Sequence, residues 1–182
     1  MIIGSIKENL ASEKRVSLTP ESAKNIINLG LKVIIEKNYA EHLGLKDDEY
    51  KKNGVEIKKD ASEVLSSSNL ILKVNCPNNE EINLIKDNTI IIGIMNPNKN
   101  KDKLKSLIQK KIKIFSLEYL PRITRAQSMD VLSSQSNLAG YRSVIESIYE
   151  FEKAIPMMMT AAGTVPAAKV LVIGAGVAGL QV

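Results

Sequence analysis

The sequence predicts an α/β protein: a doubly wound, mostly parallel sheet followed by the opening of a second α/β domain. Three observations lead there. Short β-branched apolar runs alternate with amphipathic stretches along most of the chain. Several of the runs, Leu70-Ile71-Leu72-Lys73-Val74 above all, are apolar almost without interruption, as strands covered on both faces are. Near the end, Lys169-Val170-Leu171-Val172-Ile173 leads into Gly174-Ala175-Gly176-Val177-Ala178-Gly179-Leu180, a strand pattern running into a glycine turn and a helix start.

In order, Met1-Ile2-Ile3-Gly4 predicts the first strand, followed by a polar loop through Glu13-Lys14-Arg15. Thr19 is placed to cap a helix with Pro20 in its first turn; Ala23, Ile26 and Ile27 form the buried face, and Gly30 stops it. Residues 31–36 form the second strand, 47–53 a short charged helix ended by Gly54, and 55–57 a short strand. Asp60, followed three residues later by Glu63, starts the next helix with a carboxylate reaching back. After the strand at 70–74 come a helix at 79–86, a buried strand at 89–95, a helix at 101–110 and a strand at 112–115. Repeated βα units of this length imply right-handed crossovers.

The rhythm changes at Leu120. Residues 121–130 are polar without a clean period and suit an ordered loop. Beyond them Leu138, Tyr141, Val144, Ile145, Ile148 and Phe151 share one helical face, and Pro156 is expected to close that helix. The expected organisation is a first domain at 1–135, a connecting helix at 136–155, and at 156–182 the opening of a second domain that carries the glycine turn.

The spacing of Gly174, Gly176 and Gly179 is that of a dinucleotide-binding turn. The first glycine permits the tight turn, the second lets backbone approach a pyrophosphate, and the third lets helix pack close on strand. The following helix start offers unpaired N–H groups and a positive dipole end to phosphates. A glycine turn that merely packs strand on helix is the plainer alternative.

Composition narrows the function classes. The 182 residues are 44% hydrophobic and 25% charged, with a formal net charge of +5, as in an ordinary globular protein. The lysine runs around 99–103 and 110–113 read as solvated helix ends and turns. With two Phe and no Trp, no basic-aromatic motif supports a nucleic-acid partner. Cys76 is the only cysteine, so no intramolecular disulfide can form, a reducing compartment is expected, and the thiol reads as inert. His42 is the only histidine, which excludes a site needing two His ligands; no metal is expected. No signal peptide is apparent, and residues 154–182 are broken too often by Pro, Gly and Lys to be a transmembrane helix.

Residues 121–135 (Pro-Arg-Ile-Thr-Arg-Ala-Gln-Ser-Met-Asp-Val-Leu-Ser-Ser-Gln), then Asn137-Leu138-Ala139-Gly140-Tyr141-Arg142, then Thr160-Ala161-Ala162-Gly163-Thr164-Val165-Pro166, resemble the NAD(H)-binding alpha subunit of proton-translocating NAD(P) transhydrogenase, in a wider family that includes alanine dehydrogenase. Glu13-Lys14-Arg15-Val16 and Thr19-Pro20 fit the same pattern, so the resemblance spans the chain but covers only the first half of the family's two-domain unit. It implies NAD(H) as cofactor, with NADP(H) on a partner subunit and proton translocation in membrane subunits. It implies further a homodimer, peripheral on the cytoplasmic side of the inner membrane. Residues at Arg122 and Gln127 would hold the dihydronicotinamide and its carboxamide, Asp130 would set its orientation, and Ser133 would add a hydroxyl. Gly174, Ala175, Gly176, Val177 and Gly179 would hold the pyrophosphate. A polar clamp of this kind suits hydride transfer, which needs positioning and no acid or base at the ring. An Arg122–Asp130 ion pair that pins the loop is compatible with the same residues.

In alanine dehydrogenase, residues matching Arg15 and Lys73 hold pyruvate, and a histidine donates the proton. Here Asn96 lies near that histidine's place and cannot serve as acid or base. The resemblance therefore implies transhydrogenase, with Arg15 and Lys73 structural. An alanine-dehydrogenase-like oxidoreductase is the second reading, and a non-catalytic fragment or interaction module the third. The chain ends three residues after Gly179, short of the ribose-binding acid expected about 20 residues beyond the glycines. Alone, it is expected to be inactive and to bind NADH too weakly to measure.

Overall fold

The computed structural model describes residues 1–182. They divide into two compact units, Met1–Leu120 and Pro121–Val182.

The first unit is built on six strands: β1 (Ile2–Ser5), β2 (Lys32–Glu36), β3 (Glu56–Lys58), β4 (Leu70–Asn75), β5 (Ile90–Ile94) and β6 (Lys113–Ser116). They form one sheet in the order β3-β2-β1-β4-β5-β6, every pair parallel. The doubly wound sheet is therefore present. Its order reverses between β1 and β4, where an open α/β sheet leaves a crevice at the strand ends.

Five helices cross between strands: α1 (Pro20–Asn28), α2 (Asp47–Lys52), α3 (Ala61–Ser67), α4 (Asn79–Leu84) and α5 (Lys101–Gln109). Their starts follow local chemistry. Thr19 accepts a hydrogen bond from the Ser22 amide at 3.2 Å, and Pro20 occupies the first turn of α1. Asp60 caps α3 by accepting from the Glu63 amide at 3.0 Å, but the Glu63 carboxylate reaches back to the Lys59 amide rather than to Asp60 itself. On α4, Asn78 and Glu81 form a reciprocal capping box at 2.8 and 2.9 Å. One core, including Val64, Leu65, Ile71, Ile82, Ile91 and Leu107, joins the sheet to α3, α4 and α5. A second, including Leu18, Ala23, Val33, Ile35, Tyr39 and Tyr50, joins it to α1 and α2. Burial on both faces accounts for the unbroken apolar strands.

Strand pairing is irregular at one place. The β4–β5 register shifts between Leu72 and Asn75. There Gly93 lies so close to β4 that a Cβ would fall on the Lys73 backbone carbonyl, which cannot swing aside as a side chain can.

The second unit differs more from expectation. Residues 121–130 are not simply a loop, because Thr124–Met129 winds into a 3-10 helix. The long helix, α6, spans Val131–Phe151, about 30 Å at 1.5 Å per residue. It ends without Pro156: Glu152 takes a left-handed conformation, φ 52°, and breaks the helix first. A small antiparallel hairpin follows, β7 (Met158–Thr160) with β8 (Gly163–Val165). The expected buried strand at residues 169–173 is not formed. These residues take no regular structure and are exposed, Leu171 at 85% and Ile173 at 92%. The apolar pattern is that of a strand, but a strand exists only with a hydrogen-bonding neighbour, and no second strand of the chain pairs with this one. A five-residue helix, α7 (Val177–Gln181), follows the glycine turn.

Gly93→Ala should lower the stability of the first unit by about 1–3 kcal/mol through forced displacement of β4. Urea denaturation followed by circular dichroism measures it; an unchanged midpoint would mean that β4 and β5 approach less closely.

Candidate nucleotide site

The site in the second unit starts with Asp130. Its Oδ1 accepts a hydrogen bond from the Ser133 amide at 3.0 Å, capping α6, and its Oδ2 accepts one from Ser133 Oγ at 2.6 Å. The Ser133 hydroxyl first, then the Ser133 amide, hold the Asp130 carboxyl below its ordinary value, with a smaller contribution from the Arg122 charge. Asp130 is therefore ionised at neutral pH, and Ser133 keeps its lone pairs for a further donor. Arg122 acts on Asp130 through its field; the two form no direct ion pair.

Arg122, Gln127, Asp130 and Ser133 line one open cavity of about 340 Å³, together with Pro121, Ile123, Thr124 and Ala126. The 3-10 turn creates it by bringing Gln127 round to the side of Arg122; Ala126 is the buried anchor of that turn. A second cavity of about 380 Å³ is lined by Arg122, Leu132, Ser133 and Ser136 on one side and by Gly174, Gly176, Val177 and Gly179 on the other. Arg122 and Ser133 belong to both, so the two adjoin. Ala175 lines neither.

Two of the glycines are required by backbone conformation or contact. Gly174 has φ 113°, which favours glycine, and a Cβ on Gly179 would run into the Gly174 carbonyl. Gly176 has an ordinary extended backbone and caps α7. Gly140, outside the glycine motif, is equally constrained. A Cβ there would strike the Ala178 backbone, so α6 and α7 touch main chain to main chain. The only mark of this contact in the sequence is a small pair, Ala139-Gly140, inside a helical pattern.

The remaining residues of interest lie in the first unit, Lys73 and Arg15 on the side of the β1–β4 crevice. Lys73 is buried, 4% exposed, with Nζ 2.9 Å from Glu81 Oε1 and 3.5 Å from Glu8 Oε2. Glu8 also accepts from the Val74 amide at 2.7 Å, within the irregular stretch of β4. Burial raises the Glu8 carboxyl above its ordinary value, against the pull of Lys73. Arg15 grips Glu13 through two side-chain bonds, 2.8 and 2.7 Å, and Asn75 donates to the same carboxylate at 3.1 Å. Both cations thus have carboxylate partners from the chain itself. Asn96, at φ 45°, donates its amide to Glu118 at 2.5 Å. Cys76 is half-buried, and burial raises its thiol above the ordinary value, which suits an unreactive side chain. His42 Nε2 lies 2.7 Å from the Lys14 carbonyl oxygen, in a loop contact.

A parallel six-stranded α/β unit followed by a glycine turn beside a polar cavity defines the class of two-domain nucleotide-binding α/β proteins. The chain belongs to the alanine dehydrogenase/PNT family: the model of that family's N-terminal domain matches residues 4–139, and the model of its C-terminal domain matches residues 143–182. It is 44% identical over 186 residues to an NAD(P) transhydrogenase subunit alpha protein of Rickettsia prowazekii, covering 100% of this chain and 48% of that one. Identity to the protein of the same name from Rhodospirillum rubrum is 44% over 180 residues, 96% of this chain and 47% of that one. Among solved structures, the transhydrogenase from Sinorhizobium meliloti aligns with a TM-score of 0.95 and 45% identity, over 100% of this chain and 54% of that one. The chain spans about half the length of the relatives it matches.

The Glu13 contacts predict a pH dependence. The Arg15 hydrogen bonds lower this carboxyl from its ordinary 4.5 to about 2. A carboxyl depressed on folding contributes stability above its unfolded value, and that contribution disappears as pH falls through the folded one. Glu13→Gln should therefore be less stable than the wild-type chain at pH 6, and the gap should close between about pH 4.5 and pH 2. Denaturant midpoints at pH 6 and pH 3 measure it; a gap independent of pH would contradict it.

Proposed function

We infer that the chain is the NAD(H)-binding component of a proton-translocating NAD(P) transhydrogenase, passing hydride from NADH to NADP+ on a partner subunit. One observation carries the reading: the cavity lined by Arg122, Gln127 and Asp130 adjoins the cavity at the glycine turn, as a dinucleotide with a reactive ring at one end and a pyrophosphate at its centre requires. The residues present fit such a cofactor. Gly174 and Gly179 let main chain close on itself where the pyrophosphate would approach, and the Arg122 guanidinium supplies charge to both cavities. Gln127 offers a donor and an acceptor to a carboxamide. Ser133, its own proton given to Asp130, offers an acceptor.

Bound NADH supplies the hydride; the chain's task is to hold the ring so that its C4 faces the acceptor. Asp130 fixes Ser133, and the 3-10 turn fixes Gln127, so the clamp is set before the ring enters. None of these residues needs to exchange a proton, which agrees with Asp130 being held ionised.

The NADP(H) site and the proton path are assigned to partner subunits. No helix of this chain is long and apolar enough to cross a membrane. A peripheral place on the cytoplasmic side, as a homodimer, completes the reading. An open apolar face on α6, with Tyr141 58% and Ile148 41% exposed, suits a chain that works in an assembly.

A second reading, an alanine-dehydrogenase-like oxidoreductase, draws on Arg15 and Lys73 at the β1–β4 crevice. Against it, both are engaged by Glu13, Glu8 and Glu81, and Asn96 offers no proton.

The test follows NADH absorbance in two mixtures of the assembled protein, one with an NADP+-loaded partner and one with pyruvate and ammonium. Turnover is expected only in the first, and Gln127→Ala should lower its kcat by roughly 10- to 100-fold by loosening the ring. Turnover with pyruvate and ammonium alone would overturn the reading.

A further inference from the structure

The lysine runs around 99–103 and 110–113 have no part in the function above, and the fold gathers both onto α5. Residues 99–113 hold seven lysines and one aspartate, while the rest of the chain holds 18 Lys and Arg against 19 Asp and Glu. The net positive charge thus resides on one helix and its two ends, and the remainder of the chain is close to neutral.

The two flanks of α5 use this charge differently. Lys110 Nζ donates to the Ile82, Asn83 and Ile85 carbonyls at the end of α4, at 2.8, 2.9 and 2.5 Å, and Lys103, seven residues earlier, shares that flank. At about 100° per residue, Lys101, Lys105 and Ile108 form one stripe on the opposite flank. The next element, β6, is the outermost strand of the sheet, so no helix of the first unit lies beyond this stripe. Lys99 and Lys111 stand exposed at its two ends, and Ile108 is 65% exposed between Lys105 and Lys111. Asp102 offsets one charge, pairing with Lys105 at 3.1 Å.

Helix stability does not explain the arrangement. The first turns of α1, α2, α3 and α4 carry acids, among them Glu21, Asp47, Glu63 and Glu81, as the positive end of a helix favours. The first turn of α5 is Lys101-Asp102-Lys103, close behind Lys99, and Asn100 gives it no side-chain cap. Cations at that end oppose the helix dipole, and a locally unfavourable choice of this kind points to a use outside the fold.

We propose that this flank of α5 is a face on which the chain lies against an anionic lipid bilayer, with Lys99, Lys101, Lys105 and Lys111 over lipid phosphates and Ile108 among the headgroups. This rests on the peripheral membrane place given above. An acidic protein partner would meet the same charges, but protein interfaces are enriched in arginine and poor in lysine. All four arginines of the chain lie outside residues 99–113. A charged leaflet is a diffuse field without fixed acceptor geometry, which compact lysine charges suit, each adding about 5-fold to partitioning.

Sedimentation of the full-length chain with vesicles tests the proposal, with phosphatidylcholine alone and with phosphatidylglycerol mixed in. Binding is expected only to the anionic vesicles, and is expected to vanish at about 1 M salt, where charges are screened within about 3 Å. Changing Lys101, Lys105 and Lys111 together to Gln should lower the partition coefficient about 20- to 100-fold. Changing Lys24, Lys37 and Lys52 to Gln, exposed lysines elsewhere in the first unit, removes the same charge and should cost less than about 5-fold. Glutamine and lysine have similar helix propensities, so both variants should keep the wild-type circular dichroism. Equal binding to the two kinds of vesicle, or equal loss in the two triple variants, would overturn the proposal. Retention on poly-glutamate through Lys101, Lys105 and Lys111, without vesicle binding, would overturn it in favour of an acidic protein partner. Wild-type assembly that fails to oxidise NADH with an NADP+-loaded partner overturns the transhydrogenase reading, whereas a chain active in that assay but unable to bind anionic vesicles overturns this proposal alone.

Discussion

Main chain touching main chain is the constraint on which the second unit depends. Gly140 lies against Ala178, and Gly179 against Gly174, with no room for a Cβ at either place. Two glycines in helices are unfavourable, each costing about 1 kcal/mol relative to alanine. What they permit is geometric. The first brings the glycine turn against α6, and the second folds the turn onto its own helix. The cavity between them owes its width to those two contacts. Its polar rim, Arg122, Ser133 and Ser136, shares the cavity with Gly174, Gly176 and Gly179.

A second dependence runs through Asp130. One carboxylate caps α6, orders Ser133 and stays ionised, all through two short hydrogen bonds to a residue three positions away. Because the cap fixes where α6 begins, it also fixes where the preceding 3-10 turn must end, and hence where Gln127 stands. Helix start and cavity wall are thus one local structure. The first unit handles charge differently. At its β1–β4 crevice a buried lysine is held by two carboxylates, Glu8 and Glu81, and an arginine by a third, Glu13. Removing a lysine from water is tolerable only with such partners. Partners of this kind leave the crevice electrostatically occupied by the chain itself.

Legibility in the sequence follows the range of the forces involved. The first unit's helices can be placed from Thr19, Pro20 and Asp60, because a cap acts over three residues. Its strands can be placed from their apolar runs, because a doubly covered sheet leaves no polar face to interrupt them. Residues 169–173 carry the same apolar pattern and form no strand, since pairing is a property of two segments and a single stretch cannot report it. Pro156 is a plausible helix stop, but Glu152 turns the chain first. At the site, Arg122, Gln127, Asp130 and Ser133 are legible through the family resemblance of residues 121–135, and the structure brings all four to one cavity. Gly140 and the carboxylates around Lys73 are not. Their importance lies in contacts across many residues of sequence, which leave little local mark.

On the proposed reading, residues 121–133 and the glycine turn together hold one dinucleotide. A crystal structure of the assembled protein with NADH tests it most directly. The nicotinamide ring is expected beside Gln127 and Asp130, with the pyrophosphate at the glycine turn. Cofactor bound at the β1–β4 crevice, beside Lys73 and Arg15, with nothing at the glycine turn, would contradict it.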